Sequence, residues 1–95
     1  MPLFAISWMD KPGSLETRLS VREAHLAYIA EHRSQVKLGG PFLDEAGQMA
    51  GSLIMIEAES LEAAQAFHAA DPYKLADLPA ATDIRPWRLT IGTLE

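Results

Sequence analysis

The chain has 95 residues, of which 48% are hydrophobic and 22% charged, a composition typical of one folded globular domain rather than a disordered segment. It contains no cysteine, which excludes a disulfide framework, a thiolate zinc site and a cysteine nucleophile. The formal net charge of −5 at pH 7 argues against nucleic-acid binding, which needs a clustered basic surface.

Neither a membrane span nor an export signal is indicated by the sequence. No apolar run approaches the roughly 20 residues of a membrane-spanning helix. Residues 1–4 lack the basic start of a signal peptide. We therefore expect a cytoplasmic protein that acts on a small molecule and binds neither nucleic acid nor membrane.

The first part of the chain predicts a strand, a long loop and a helix. Residues 3–9 form a short apolar run followed by turn residues, which is typical of a strand. Residues 10–19 predict a loop. Ser20 is predicted to open the first helix, because Ser20 and Glu23 have the spacing of a capping box. We expect this helix to end at about residues 33–34.

The second part predicts a hairpin, a helix and a final strand. Residues 36–43 and 51–58 alternate or run apolar on either side of a polar turn, which favours two hairpin strands. Ser60 is the predicted cap of a second helix. That helix is expected to end at Asp71, because the proline that follows disfavours helical geometry there. The last strand is predicted over about residues 82–91.

The order strand, helix, strand, strand, helix, strand predicts an α+β fold made of two split β-α-β units. This is the ferredoxin-like arrangement, with right-handed crossovers and the strand order 4-1-3-2 in one antiparallel sheet. We expect a single domain over residues 1–95. Two helices can cover only one face of such a sheet.

Both faces of the predicted sheet are apolar. In the first strand one face carries Leu3 and Ala5, and the other carries Phe4, Ile6 and Trp8. A solvated antiparallel sheet would instead alternate hydrophobic with polar residues. A large exposed apolar patch marks an interface, and closed two-fold dimers are the commonest assembly. We therefore expect a homodimer packed sheet face to sheet face.

The topology predicts a site where the start of the first helix meets the end of the second. His25 is predicted to lie one turn into the first helix, and Asp71 to close the second. A helix N-terminus disfavours the imidazolium form, whereas a nearby carboxylate favours it and fixes the tautomer. Such a pair has the composition of a general base. The alternative is a structural hydrogen bond within the core.

Further candidates for substrate contact lie around the same edge: Arg18, Arg22, Gly40, Pro41, Ser52 and Tyr73. The arginines, with Lys11, could attract an anionic or phenolate substrate, or form a solvated basic loop. The glycine-proline pair could let the backbone approach a ligand, or simply bend an edge strand. The serine could donate a hydrogen bond or only fill space. Tyr73 and Trp87 could wall a pocket, or pack in the core or an interface.

Metals and cofactors are not indicated. His32 and His68 do not complete a metal-ligand spacing with His25. There is no phosphate loop, dinucleotide fingerprint or serine elbow. We therefore expect a protein that works without a metal or cofactor.

Short motifs run along nearly the whole chain: Lys11-Pro12-Gly13-Ser14, Arg18, Arg22, Ala24-His25-Leu26, Gly39-Gly40-Pro41 with Asp44, Gly51-Ser52-Leu53, Asp71-Pro72-Tyr73 and Ile84-Arg85-Pro86-Trp87. In order and spacing the chain resembles the YciI-like (YCII-related) family. The resemblance implies a ferredoxin-like, dimeric α+β barrel with an active site built on a His-Asp pair, for which His25 and Asp71 stand at the matching positions. The family includes a dehydrochlorinase that acts on a chlorinated hydroxyhydroquinone.

Two hypotheses about function follow. In the first, the protein is a cofactor-independent lyase or isomerase, in which His25 and Asp71 remove a proton from a small cyclic or phenolic substrate. The neighbouring cations would then stabilise the developing oxyanion. In the second, the domain is a non-catalytic ligand-binding or accessory module, and the His-Asp pair is a structural hydrogen bond.

Overall fold

Four antiparallel strands form one sheet, and the helices pack on one of its faces. The computed structural model describes residues 1–94, so the last residue of the predicted domain 1–95 lies outside it. In chain order the elements are β1 (Leu3–Asp10), α1 (Leu15–Glu31), β2 (Val36–Leu43), β3 (Met49–Glu57), α2 (Leu61–Ala69), α3 (Pro72–Leu75) and β4 (Pro79–Trp87). The predicted order of strands and helices is confirmed, with the short helix α3 as an addition.

The sheet has the strand order β2-β3-β1-β4, which confirms the predicted ferredoxin-like α+β arrangement. In the centre, Ile6 of β1 lies opposite Ile54 of β3 and Ile84 of β4. Because side chains alternate along a strand, the inward side chains of β1 and β3 form the core with residues of all three helices: Phe4, Ile6, Trp8, Ile54, Ile56, Val21, Phe67 and Tyr73.

The first helix begins earlier than predicted. It starts at Leu15, and the connection from β1 is only a short turn in which Gly13 has a φ of 73°. Ser20 lies inside the helix, where its hydroxyl donates a hydrogen bond to the carbonyl of Thr17 at 2.9 Å. The capping-box prediction was wrong because the buried Arg18 makes the inner face of the first turns look polar in sequence.

The second helix begins as predicted and ends sooner. The Ser60 hydroxyl accepts a hydrogen bond from the Ala63 amide at 3.1 Å, so Ser60 is the cap of α2. The predicted end at Asp71 was wrong, because α2 stops at Ala69 and Asp71 instead caps α3 through the Tyr73 amide at 2.9 Å.

Three strands also differ from the prediction in their bounds. β1 extends to Asp10, β3 begins at Met49, and β4 spans Pro79–Trp87 rather than 82–91. β4 accommodates two prolines because it lies at the edge of the sheet, where a missing amide donor costs least. β2 has the predicted bounds.

The sheet face opposite the helices carries large apolar side chains. Exposed or partly exposed members of this face are Leu3, Met9, Leu38, Phe42, Leu53 and Trp87. The helices contribute to the core on the other face. Assembly of two such faces into a dimeric α+β barrel stays a prediction. In the described part of the chain, residues 1–94, no helix has the length and apolar character needed to cross a membrane.

The core includes a buried histidine. The His68 ring lies 5.1 Å from the Trp8 ring, and its Nε2 is 2.9 Å from the Thr82 hydroxyl. Burial lowers the pKa of His68 below its ordinary value of 6.5, and this outweighs the opposing effect of Asp71. His68 is therefore favoured in its neutral form in the folded protein.

The corrected helix boundaries predict opposite effects for two serine substitutions. Ser60→Ala is expected to lower the free energy of unfolding by about 1 kcal/mol, because it removes a helix cap. Ser20→Ala is expected to leave it unchanged or raise it by up to about 0.5 kcal/mol, because alanine is the better helix former at an interior position. Urea denaturation measures the free energy of unfolding of both variants. Equal losses of that free energy in Ser60→Ala and Ser20→Ala would contradict a helix start before Ser20.

The buried His68 predicts a stability that falls in acid. Because its pKa is lowered in the folded state, the unfolded chain binds the proton more readily as the pH drops below about 6.5. The contribution of neutral His68 to the free energy of unfolding is therefore fully present above that pH and is lost on acidification. His68→Gln, which cannot titrate, should reduce the fall in free energy of unfolding between pH 7.5 and pH 5 at fixed protein concentration. An unchanged pH dependence would contradict the prediction.

Candidate active site

One cavity of about 160 Å³ lies between α1, the hairpin of β2 and β3, and α3. It is lined by Arg18, Arg22, His25, Leu26 and Ile29 of α1, Val36, Gly39, Gly40 and Pro41 of β2, Met49, Ser52 and Ile54 of β3, and Tyr73 of α3. Most of these side chains are apolar, and the polar ones come mainly from one face of α1. The cavity thus joins an apolar wall to a polar one.

The periodicities of helix and strand explain this lining. Residues 18, 22, 25 and 29 follow the spacing that places side chains on one face of a helix. Gly39 lies opposite Ile54 in the sheet, and a β-carbon added to it would lie 3.6 Å from the Ile54 side chain. The missing side chain of Gly39 therefore keeps space open between the edge strand and the helix.

His25 lines the cavity and meets Asp71 directly behind the wall. The His25 Nδ1 lies 2.9 Å from the Asp71 Oδ1, and the aspartate is fully buried. The same oxygen accepts the Tyr73 amide that caps α3. A carboxylate at Nδ1 favours the tautomer with the proton on that nitrogen, which leaves Nε2 able to accept a proton.

Tyr73 holds the imidazole from a second direction. Its ring stacks on His25 with a centroid distance of 4.1 Å and an interplanar angle of 18°. Burial raises the pKa of Tyr73 above 10.0, and the positive charges of Arg18 and Arg22 oppose that rise. The His25 ring is therefore fixed by a hydrogen bond in its plane and by stacking on one face.

The other Asp71 oxygen, Oδ2, is buried and has no hydrogen-bond partner among residues 1–94. A buried acceptor left unpaired lowers stability by about 1–3 kcal/mol. Native proteins contain few such groups, and a catalytic role is one of the recognised explanations. Among these residues the Asp71 carboxylate is therefore paired through Oδ1 alone.

The predicted influence of a helix N-terminus on His25 does not apply. His25 lies ten residues beyond Leu15, the first residue of α1. The electrostatic effect of a helix terminus falls off within its first turn. The immediate electrostatic partner of His25 is therefore the carboxylate of Asp71.

Arg18 is buried in a network of its own. Its Nε and Nη2 donate to the two Asp10 oxygens at 2.7 and 3.0 Å, and its Nη2 also donates to the Ser52 hydroxyl at 2.8 Å. The guanidinium carbon lies 4.7 Å from the centre of the Tyr73 ring. Trp8 Nε1 donates to the same aspartate at 2.9 Å. This bidentate, buried pair neutralises the charge of Arg18.

The other two predicted cations differ from Arg18 and from each other. Arg22 is exposed and lines the cavity. Lys11 does not line it and forms an ion pair with Asp77 on the surface, which lowers the pKa of that carboxyl. Both arginines belong to helix α1 rather than to a loop. Lys11 therefore has a surface partner away from the cavity.

The structure brings together all eight side chains and backbone positions predicted for the site. Seven line the cavity, and Asp71 stands behind His25. Their roles in binding and catalysis stay predictions. Trp87, weighed as a pocket wall, is exposed at the far end of β4 and outside the lining.

The sequence did not indicate the apolar wall or the partner of Arg18. The apolar residues Leu26, Ile29, Val36, Met49 and Ile54 carry no signal that separates a cavity from a core. Asp10 was assigned to a loop. The available signal for this partner was the position of Asp10 directly after an apolar strand, because an acidic side chain at the end of a strand can pair with a cation from a neighbouring helix. No three histidine or acidic side chains cluster to hold a metal ion within the described residues 1–94.

Comparisons with known proteins agree with this architecture. A solved structure of 5-chloro-2-hydroxyhydroquinone dehydrochlorinase from Burkholderia phenoliruptrix, in complex with 2,5-dihydroxybenzoquinone, superimposes with a TM-score of 0.83 at 37% identity. The match covers 90% of this chain and 93% of that one. At this identity the similarity extends beyond the fold to the sequence.

Curated relatives match over almost the same span. Protein YciI of Escherichia coli O6:H1 is 40% identical over 94 residues, which cover 90% of this chain and 96% of the relative. An uncharacterized protein of Haemophilus influenzae is 36% identical, with coverage of 90% and 95%. The family model of the YCII-related domain matches residues 2–88. The chain therefore belongs to the YCII-related domain family.

Proposed function

We propose that this protein is a cofactor-independent enzyme in which His25, supported by Asp71, removes a proton from a small cyclic or phenolic substrate. The observation that carries this proposal is the 2.9 Å contact between the two side chains at the wall of a cavity. A positioned imidazole with a carboxylate on its far nitrogen is an effective general base.

The size of the cavity supports a substrate with one ring. Its volume is about 160 Å³, and an apolar protein cavity of about 150 Å³ is large enough to bind benzene. The apolar wall would contact the face of a ring. The polar groups Ser52, Arg22 and His25 line the same cavity and would contact its substituents.

The proposed reaction begins with proton transfer to the His25 Nε2. The electron pair of the broken C–H or O–H bond moves into the ring and onto a ring oxygen as an oxyanion. The imidazolium that forms is stabilised by the Asp71 carboxylate. In an elimination that proton returns to the halogen-bearing ring carbon. Loss of a second hydroxyl proton then expels the halide from that carbon and leaves a quinone. In an isomerisation the proton returns to another ring position.

The similarity to a dehydrochlorinase supports the elimination among these outcomes. That protein is named for removing the elements of hydrogen chloride from a chlorinated hydroxyhydroquinone, and its ligand is a one-ring quinone. We therefore propose lyase chemistry of this kind for the present chain, with Arg18, Arg22, Gly40, Pro41, Ser52 and Tyr73 forming the substrate-binding wall.

We further propose that the chain is a homodimer formed through the open sheet face. Leu38 is 43% exposed, Phe42 38% and Trp87 41%. A contiguous apolar face of this kind is typical of an interface, and a two-fold axis lets the same face meet itself.

Substitution of the pair tests the catalytic proposal. With 5-chloro-2-hydroxyhydroquinone as substrate, His25→Ala and Asp71→Asn are expected to lower the rate of chloride release by about 10²-fold or more, as loss of a general base does. His32→Ala is the matched control, because His32 hydrogen-bonds the Tyr28 carbonyl outside the cavity.

The same variants test the ligand-binding alternative. If His25→Ala keeps the wild-type rate and only loses stability, by about 1–3 kcal/mol for an orphaned buried partner, the pair is structural. Thermal unfolding measured beside the rate separates the two results.

Solution mass tests the dimer. We expect twice the chain mass at micromolar concentration by light scattering, and Phe42→Glu is expected to shift the mass towards the monomer by placing a charge in the apolar face. Leu75→Glu, on the exposed surface of α3, should leave the mass unchanged. A monomeric wild type would contradict the proposal.

A further inference from the structure

We infer that Arg22 binds an ionised oxygen of the substrate, so that the cavity selects anionic one-ring molecules over neutral ones. Arg18, by contrast, is a positioning residue. This inference rests on the proposed function for the location of the ring, and it adds the charge of the substrate and the side chain that recognises it.

The lining of the cavity contains cationic side chains, although the protein as a whole is acidic. The chain has 13 acidic residues and a net charge of −5. Yet the side chains of residues 1–94 that line the cavity include Arg18 and Arg22 and no carboxylate. A cleft with one sign of charge and low-dielectric walls concentrates ligands of the other sign.

Arg18 does not supply this positive charge. Its Nε and Nη2 are engaged by two bonds to Asp10 and one to Ser52, and the residue is 2% exposed. A move towards a ligand would leave the Asp10 carboxylate buried and unpaired, which is strongly destabilising. The contacts of Arg18 hold the Ser52 hydroxyl and the Tyr73 ring in position, and this is its role in place of ligand binding.

Arg22 is the cation that remains for a ligand. It lies one helical turn beyond Arg18 on the same face of α1 and is exposed to solvent. Among residues 1–94 it takes part in no ion pair or side-chain hydrogen bond. Its planar guanidinium presents paired donors, which suit two neighbouring oxygens of one ligand.

The apolar wall makes this charge decisive. Leu26, Ile29 and Ile54 line the space beside Arg22, and an anion that enters it loses part of its hydration. Such transfer is costly without a paired cation, whereas a neutral ring of the same size avoids that cost. Removal of a further proton by His25 raises the negative charge of the ring, and the neighbouring guanidinium of Arg22 stabilises that charge as it develops.

Equilibrium binding of two ring probes tests the inference. The probes are 2,5-dihydroxybenzoquinone, an acidic enol that is anionic at neutral pH, and hydroquinone, a neutral ring of similar size. In wild type the anion should bind more tightly, and its Kd should rise with salt. Arg22→Gln should raise the Kd of the anion about tenfold or more, as expected for a lost charge-assisted hydrogen bond, and leave that of hydroquinone nearly unchanged.

Two further variants complete the design. Arg22→Lys should restore part of the affinity for the anion, because it keeps the charge and loses the paired donors. Arg33→Gln removes an equal charge from the exposed turn after α1 and should leave both Kd values unchanged. Thermal unfolding verifies that the Arg22 variants remain folded.

Three results would overturn the inference: no binding of the anion by wild type, an equal loss of both probes in Arg22→Gln, or an equal effect of Arg33→Gln. Binding requires no turnover. A His25→Ala variant that keeps full activity would therefore overturn the proposed function while Arg22 keeps its role. Conversely, if His25→Ala loses activity and Arg22→Gln binds both probes like wild type, the role of Arg22 is overturned and the proposed function stands.

Discussion

The buried carboxylate of Asp71 joins two helices of the site through one oxygen. Its Oδ1 accepts the amide of Tyr73, which begins α3, and lies 2.9 Å from the His25 Nδ1 of α1. The cap sets the direction of α3, and so places the Tyr73 ring against the imidazole. Two elements distant in sequence are thus held in register by a group that water does not reach, where hydrogen bonds are electrostatically strong.

A second buried charge performs the same task at the other end of the cavity. Arg18 connects α1 to the last residue of β1 through Asp10 and to β3 through Ser52. Its guanidinium also packs on Tyr73, so the two polar networks share one aromatic ring. The cavity between them exists because β2 is an edge strand and carries Gly39 where a larger side chain would fill the space.

The division of labour between the two arginines has a simple physical origin. They lie four residues apart on one helix face, so both point towards the cavity. Arg18 meets a carboxylate from the sheet, and Arg22 lies where the helix faces solvent. The same residue type therefore has a structural environment in one case and a ligand-accessible one in the other.

Local sequence patterns were sufficient for the α+β class and the Ser60 cap, because hydrophobic alternation, turn residues and capping depend on near neighbours. The strand order followed from the order of the elements and the rules of chain crossover. The contact between His25 and Asp71, 46 positions apart, was expected from that topology and from the family resemblance. Local patterns failed at the start of α1 and the end of α2. Ser20 has a capping pattern, but a helix extends wherever its inner face can be buried, and burial of Arg18 required Asp10 from another element. The cavity, its apolar wall and the separate roles of Arg18 and Arg22 likewise arise from long-range packing, which places in contact side chains that no local pattern relates.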